Sequence, residues 1–267
     1  MTPEDRLALE RARQQLETPS LALRLTSLLG APLEGALLAL PPPWLQTIHT
    51  VSRASLERAL QVACWTLAEE APDTPPRNRL HQGVAAVSGA VGGSMGMVAL
   101  PVELPLSTAI MMRSIAAIAR SQGEPVGSPE TAVACLEVFA LGPHGTPEEV
   151  AGQTYFTIRA GLARAVADAS RHIGRHGVAT QGAPALVRLI ASISARFGVV
   201  VSQKVAAQSV PLIGGLGGAV INAAFIDFYQ KMAEGHFVVR RLQRQYGTDV
   251  VKEAYGALAP PLLPSEP

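Results

Sequence analysis

The sequence predicts an all-α protein, and three observations point to that class. Hydrophobic residues make up 48% of the chain but aromatic residues only 4%, so most of the apolar mass comes from Ala, Val, Leu and Ile. Most segments begin or end at residues that cap helices, such as Ser or Thr before Pro, or a closing Gly. No run alternates cleanly between apolar and polar residues, as a half-buried strand would. We therefore expect one helical domain in which two Gly-rich helical segments pack closely.

The N-terminal part of the chain predicts three helices. Residues 3–17 form a short charged stretch of helical composition, and Leu21, Leu25 and Leu28 follow at helical spacing. After three consecutive prolines, apolar residues recur from Trp44 to Leu67 as an amphipathic stripe of about six turns. This stripe is typical of a helix that packs against a core.

Cap residues place the helices of the C-terminal part. Ser128 is a good N-cap with Pro129 at the first helical position, and Thr146 and Glu149 have the spacing of a capping box. The remaining helices are predicted over residues 80–100, 106–122, 129–141, 147–172, 183–197, 199–209, 211–246 and from Thr248 onward. The predicted organisation is a charged helix over residues 1–18, a helical domain over residues 19–256 and a Pro-rich tail over residues 257–267.

Two long runs carry no charged side chain. They extend over residues 82–102 and 205–226, and each is long enough for a membrane helix of about 20 residues. Both are diluted by Gly, Ala, Ser, Gln and Asn, which weakens the free energy of membrane insertion. The sequence leaves two alternatives open, a buried hairpin inside a helical domain or a pair of marginal membrane spans.

Small residues in these runs recur at helical spacing. Four-residue spacing lets another helix approach backbone to backbone, and the second run lacks the Lys-Ser/Thr of a phosphate-binding loop. We predict helix packing at six glycines: Gly89, Gly92, Gly93, Gly96, Gly214 and Gly218.

Ser94 lies in a G-x-S-x-G pattern, which raises the alternative of a serine hydrolase. Acid and histidine partners exist in the right chain order as Asp168 with His172, or Asp227 with His236. A nucleophile elbow needs a strand before the serine and a helix after it, and the chain offers no parallel sheet. A packing face is therefore the favoured interpretation, and catalysis by Ser94 is the alternative.

Four polar residues lie nearest the two uncharged runs and are our candidates for a polar cluster: Glu103, Arg113, Asn222 and Asp227. If the runs are buried, these groups need partners or cost several kcal/mol, about 3–5 for an unpaired buried charge. Structural pairing is the favoured interpretation of the cluster, and ligand binding is the alternative.

A basic stretch near the C-terminus is a candidate membrane surface, because Arg240, Arg241 and Arg244 adjoin an apolar Phe-Val-Val segment. A solvated basic face is the favoured interpretation of this stretch, and headgroup binding is the alternative. His172 and His176 have a metal-chelating spacing, but the neighbouring arginines would repel a cation. We predict no metal site and no cofactor.

Three stretches together resemble the bacterial EcsC protein family. The first is the Gly-rich segment that runs into Leu100-Pro101-Val102-Glu103-Leu104-Pro105 and the helix ending at Gly123. The second is Ser128-Pro129-Glu130, which leads to Leu136-Glu137-Val138-Phe139-Ala140-Leu141-Gly142. The third is Val210-Pro211-Leu212-Ile213-Gly214 with Gly218 and Asn222. The family is named for a protein encoded beside an ABC transporter, and the resemblance implies no catalytic residues.

Composition narrows the function classes. A net charge of +1 and a pI of about 7.9 disfavour nucleic acid as a partner. Cys64 and Cys135 lie in apolar helical contexts and are expected to be buried thiols, and the charged N-terminus has no secretory h-region. We expect a cytoplasmic, non-catalytic accessory or interaction protein at the inner face of a membrane, with membrane lipid or a membrane protein as its partner. A lipid carrier is a further alternative, and no feature predicts an oligomeric state.

Overall fold

Ten helices, and no strand, make up the part of the chain that the structure describes. The structure is a computed structural model, and it describes residues 1–17, 21–29, 33–69, 99–125, 127–142, 154–177, 183–209 and 214–258. The helices are α1 (Pro3–Glu17), α2 (Leu21–Leu29), α3 (Leu33–Leu38), α4 (Pro42–Glu69), α5 (Leu100–Ser121), α6 (Pro129–Glu137), α7 (Tyr155–His176), α8 (Pro184–Gln208), α9 (Gly214–Tyr246) and α10 (Thr248–Gly256). The all-α prediction is confirmed.

Several helix ends fall where the cap residues predict them. The Ser128 hydroxyl accepts a hydrogen bond from the Thr131 backbone N–H at 3.2 Å, and Pro129 occupies the first position of α6. Helix α1 spans the predicted residues, and α10 begins at Thr248. A short 3₁₀ turn, Val138–Ala140, continues α6.

Other helix ends differ from the prediction. Helix α5 begins at Leu100, so the Pro101 to Pro105 segment forms its first turns and does not precede it. Pro101 is tolerated because the first four N–H groups of a helix have no intrahelical partner. Pro105 lies inside the helix, where it removes the hydrogen bond to the residue 101 carbonyl. Helix α8 continues through Gly198 as one helix, so the two shorter helices predicted there are wrong.

The capping box of Thr146 and Glu149 lies outside the described residues. Within the described part, α7 begins at Tyr155, and its N-cap is Thr154, whose hydroxyl accepts from the Thr157 backbone N–H at 3.3 Å. The predicted tail from residue 257 is described only as far as Leu258.

Side-chain contacts establish the directions of the long helices. Helices α5 and α9 run parallel, because Gln230 contacts Ser114 at 2.9 Å and Arg240 contacts Glu124, beyond the end of α5, at 2.8 Å. Helix α8 runs the other way and brings Lys204, near its C-terminus, to Glu103 in the first turn of α5.

Helix α4 begins at the same end of the bundle as α5 and α9. Cys64, near its C-terminus, lies close enough to Cys135 on α6 to raise the pKa of that thiol, an effect that adds to those of burial and of Glu124. Glu124, which also raises that pKa, lies just after the C-terminus of α5. The C-termini of α4 and α5 are therefore at one end of the bundle, and the N-terminus of α4 is at the other.

The core between these helices contains an aromatic cluster. Phe139 contacts Phe197 and Tyr229 with ring centroids 5.2 and 5.0 Å apart, and Phe225 contacts Tyr229 at 5.3 Å. Such edge and tilted contacts stabilise a core beyond the burial of apolar area. The cluster joins α8 and α9 to the turn that follows α6.

Helix α1 packs directly on the C-terminal half of α9. Gly235 makes this approach possible, because a Cβ there would lie 2.9 Å from the Ala12 carbonyl oxygen and 2.8 Å from Leu16 Cγ. Arg13 then joins α1 to the C-terminal segment by donating to the Leu258 carbonyl at 2.6 Å and the Tyr255 carbonyl at 3.0 Å.

Candidate functional site

A buried ion pair joins α5 to α8. Lys204 Nζ donates to Glu103 Oε1 at 2.6 Å, and the Lys204 ammonium lies 4.8 Å from the centroid of the Phe225 ring. The Lys204 side chain is completely buried and that of Glu103 is 5% exposed. Burial lowers the pKa of Lys204, and the Glu103 charge offsets only part of that effect. The favourable helix dipole at the start of α5 adds to the stability of the carboxylate.

The other three residues of the predicted polar cluster are divided between core and surface. Arg113 is exposed, Asn222 is buried, and Asp227 lies half-exposed in ion pairs with Arg24 at 2.7 Å and Lys231 at 2.9 Å. A helix turns by about 100° per residue, so positions 222 and 227 of α9 point about 140° apart. The expectation of one cluster is corrected to a buried Glu103–Lys204 pair and a separate surface cluster around Asp227.

The three arginines of the candidate membrane surface form ion pairs within the protein. Arg240 donates two hydrogen bonds to the buried Glu124 carboxylate at 3.0 and 2.8 Å, and Arg244 also donates to it. Arg241 pairs with Asp5 at 3.5 Å. Burial alone would raise the pKa of Glu124, but the two arginines outweigh it and hold that pKa below its usual value. Sequence spacing does not show these partners on other helices, and headgroup binding by the three arginines stays a prediction.

A buried polar network lies between α6, α7 and α9. Tyr155 Oη and His236 Nδ1 are 3.0 Å apart, His236 Nε2 is 3.9 Å from Glu137 Oε2, and Arg159 approaches Glu137 at 3.6 Å. Burial, Arg159 and Arg240 together hold the pKa of His236 well below its usual value. His236 Nε2 has no hydrogen-bond partner within the described ranges.

This network excludes one version of the hydrolase alternative. His236 contacts Tyr155 and Glu137, whereas Asp227 contacts Arg24 and Lys231, so the two do not form an acid–histidine pair. The other version places Asp168 beside Arg171 at 2.5 Å. Ser94 itself lies outside the described residues, and catalysis by it stays a prediction.

The Gly-rich packing faces are described only in part. Gly89, Gly92, Gly93 and Gly96 lie outside the described residues. Gly214 begins α9, and Gly218 is buried in its second turn. The run over residues 205–226 is not one continuous helix, since α8 ends at Gln208 and α9 begins at Gly214. Pro211, between them, lacks the N–H that an uninterrupted helix would need.

No group of three or more His, Cys, Asp or Glu side chains with metal-binding geometry occurs within the described ranges. The His172 and His176 rings stack with centroids 4.8 Å apart near the C-terminus of α7. His176 is exposed and Arg175 lies beside it.

One end of the helical bundle is apolar and nearly free of charge. It comprises α3, the N-termini of α4, α5 and α9, and the C-terminus of α8, and we call it the uncharged end. Residues 35–52, 104–112 and 205–226 contain no Asp, Glu, Lys or Arg. Large apolar side chains at this end are exposed, by 89% at Leu38 and 75% at Val102, and the others are Leu45, Leu106 and Val220. Among the charged groups of these elements, Glu103 and Lys204 are paired and buried, and α3 also contains the acidic Glu34.

The opposite end carries the ion pairs around Glu124, and we call it the charged end. It contains Glu124 with Arg240 and Arg244, together with the contacts of α1 to α9 and α10. The charge of the bundle is therefore polarised along its long axis, whereas exposed apolar side chains also occur at the charged end, at Leu7, Trp65 and Val250.

Comparison with known protein families assigns most of the chain to one family. A family model described as the EcsC protein family matches residues 23–242, most of the chain. The chain belongs to the EcsC family. The match begins inside α2 and ends inside α9, so it leaves out α1 and α10. No curated protein and no solved structure matches the chain significantly.

Two helices of this EcsC family protein are long and apolar enough to cross a membrane, judged by length and composition alone. They are α5 and α8, whose most apolar windows are 67% and 44% buried inside the protein. This is weak evidence for membrane association, because core helices of soluble proteins pass the same test. Neither helix coincides with the two uncharged runs, for which the sequence leaves a buried hairpin or a pair of membrane spans open.

Lys204 is the site residue of this EcsC family protein that the sequence analysis missed. It stands alone between residues 197–203 and 205–226, both without charge. A single ionisable residue inside so long an apolar stretch is a signal for a buried partner.

Proposed function

We propose that this EcsC family protein is a non-catalytic accessory protein that associates with the cytoplasmic face of a membrane through its uncharged end. Soluble domains carry about 25% charged residues, against 16% here. Soluble proteins also rarely expose large contiguous apolar patches that have no binding partner. The observation that carries the proposal is a group of exposed apolar side chains, Leu38 and Val102 foremost, at the one end of the bundle that is nearly free of charge.

The positions of these side chains favour a partner over chance exposure. Leu38 and Val102 are among the most exposed large apolar side chains of the protein, yet they come from different segments of the chain. Trp44, at the start of α4, is half-buried at the same end, and tryptophan is common where a protein meets the headgroup region of a bilayer. A lipid surface or an apolar membrane protein would remove these side chains from water.

Charged side chains of the described part form ion pairs, which supports a structural role for them. Glu103 is paired with Lys204, Glu124 with two arginines, and Asp168 with Arg171 and Arg188. Buried ionisable groups need such partners whatever the function of the protein, so these pairs require no catalytic explanation.

Vesicle co-sedimentation tests the proposal. The wild-type protein is expected to sediment with phosphatidylcholine vesicles, and the double variant Leu38→Asp, Val102→Asp is expected to lose at least about tenfold in partitioning. Full burial of one Leu or Val side chain contributes about 1.5–3 kcal/mol, and about 1.4 kcal/mol corresponds to a tenfold change.

A matched control comes from the charged end. Leu7 and Val250 are exposed by 47% and 50%, so the double variant Leu7→Asp, Val250→Asp adds the same charges without touching the uncharged end. It is expected to bind vesicles like the wild type. Sedimentation that neither pair of substitutions reduces, or that both reduce equally, would contradict attachment through the uncharged end.

A further inference from the structure

The uncharged end forms a shallow layer. Along α9, the first charged residue after the exposed Val220 is Asp227, about 10 Å further at 1.5 Å per residue. Along α4, Leu45 and Arg53 are about 12 Å apart, and along α5 the distance from Val102 to the exposed Arg113 is about 16 Å. On α4, α5 and α9, charged side chains that reach solvent therefore begin about 10–16 Å from this end, and α3 carries Glu34 one turn before Leu38.

This depth is much smaller than the hydrocarbon core of a bilayer, which is about 30 Å thick. If α5 spanned a membrane, the exposed guanidinium of Arg113 would lie near the middle of the hydrocarbon, where an unpaired charge is expensive. A layer of about 10 Å instead matches the depth to which amphipathic surfaces enter the headgroup and acyl boundary.

The lipid that such a layer contacts needs no particular headgroup charge. Glu103 and Lys204 neutralise each other in the core of the uncharged end. Arg188 lies about 24 Å along α8 from Lys204, well beyond the screening length of about 8 Å at physiological salt. Arg240 and Arg244 are at the charged end and paired with Glu124.

Resting on the proposed function, we infer that the uncharged end inserts about 10 Å into a single leaflet of a lipid bilayer and binds its acyl region without selecting anionic lipids. The charged end, with α1 and α10, then faces the aqueous phase. The lipid partner is recognised by hydrocarbon contact alone.

The two tryptophans of the chain are built-in reporters for this geometry. Trp44 is the third residue of α4, at the uncharged end, and Trp65 is 58% exposed about 32 Å further along the same helix. The variant Trp65→Phe leaves Trp44 as the only emitter, and Trp44→Phe leaves Trp65. Circular dichroism checks that both variants keep the helical fold.

The experiment measures quenching of each single-tryptophan variant by phosphatidylcholine vesicles that carry bromine near the headgroup end of their acyl chains. We expect quenching of Trp44 and none of Trp65. We also expect binding that is unchanged by high salt or by adding phosphatidylglycerol to the vesicles.

Three results would overturn the inference. Binding only to vesicles with phosphatidylglycerol, and loss of that binding in high salt, would show electrostatic attachment and would also contradict attachment through the uncharged end. Equal quenching of both tryptophans would show deeper insertion and also leave membrane association standing. No binding to any vesicle would overturn both the inference and the proposed function.

Discussion

Removal of Lys204 is expected to destabilise the protein more than removal of any exposed lysine. The variant Lys204→Met keeps most of the side-chain volume but leaves the Glu103 carboxylate buried without its partner, which lies 2.6 Å away in the wild type. Breaking a buried ion pair from one side costs about 3–5 kcal/mol. We expect the free energy of unfolding to fall by that amount in urea denaturation followed by circular dichroism.

A second substitution separates the cost of an unpaired charge from the value of the pair. In the double variant Glu103→Met, Lys204→Met no charge remains, and replacing a buried pair by apolar side chains of similar volume is often neutral or stabilising. The double variant is therefore expected to recover most of the loss, so that the two substitutions are strongly non-additive.

Lys231→Met is the matched control for this prediction. Its ammonium pairs with Asp227 at 2.9 Å but is 41% exposed, and exposed pairs contribute less than about 1 kcal/mol. If Lys204→Met cost no more than Lys231→Met, or if the double variant were as unstable as the worse single one, the description of a buried pair would be refuted.

Three further predictions concern the fold. Gly235→Ala should lower the free energy of unfolding by about 1–3 kcal/mol, because the added Cβ would push α1 away from α9. Gly198→Ala, which has open space around it, should be neutral or stabilising, and thermal denaturation compares the two variants. The free energy of unfolding should fall as the pH drops below 6.5, the ordinary pKa of histidine, because the neutral buried His236 ring gains a proton only on unfolding. Urea denaturation at several pH values measures this, and His236→Asn should reduce the dependence of the free energy of unfolding on pH. Ser128→Ala should lower the free energy of unfolding by about 1 kcal/mol through loss of the N-cap, and an unchanged urea midpoint would contradict that role.

Local features of the fold could be predicted from the sequence because they depend on near neighbours in the chain. The cap at Ser128 requires only the three residues that follow it, and the Asp227–Lys231 pair requires only helical spacing. The prediction of a break in α8 near Gly198 is wrong, because tertiary packing of the helix outweighs the weak helix propensity of a single glycine.

The site depended on contacts between residues far apart in the chain, and these were not predictable. Glu103 was identified as a polar group in need of a partner, but its partner Lys204 is 101 residues away. The sequence offers Arg240 and Arg244 as a solvated face or a surface for headgroups, and only the structure brings the buried Glu124 against them. Sequence alone shows that a charge needs compensation, and not which helix supplies it.

Fractionation of cells that produce the protein tests the central claim most directly. The membrane pellet is washed first with high salt and then with alkaline carbonate, and each fraction is probed for the wild type and for the variant Leu38→Asp, Val102→Asp. Attachment by a shallow uncharged end predicts a wild-type protein that resists salt and is released by carbonate, and a variant that is soluble from the start. A wild-type protein found entirely in the soluble fraction, or released by salt alone, would contradict the account.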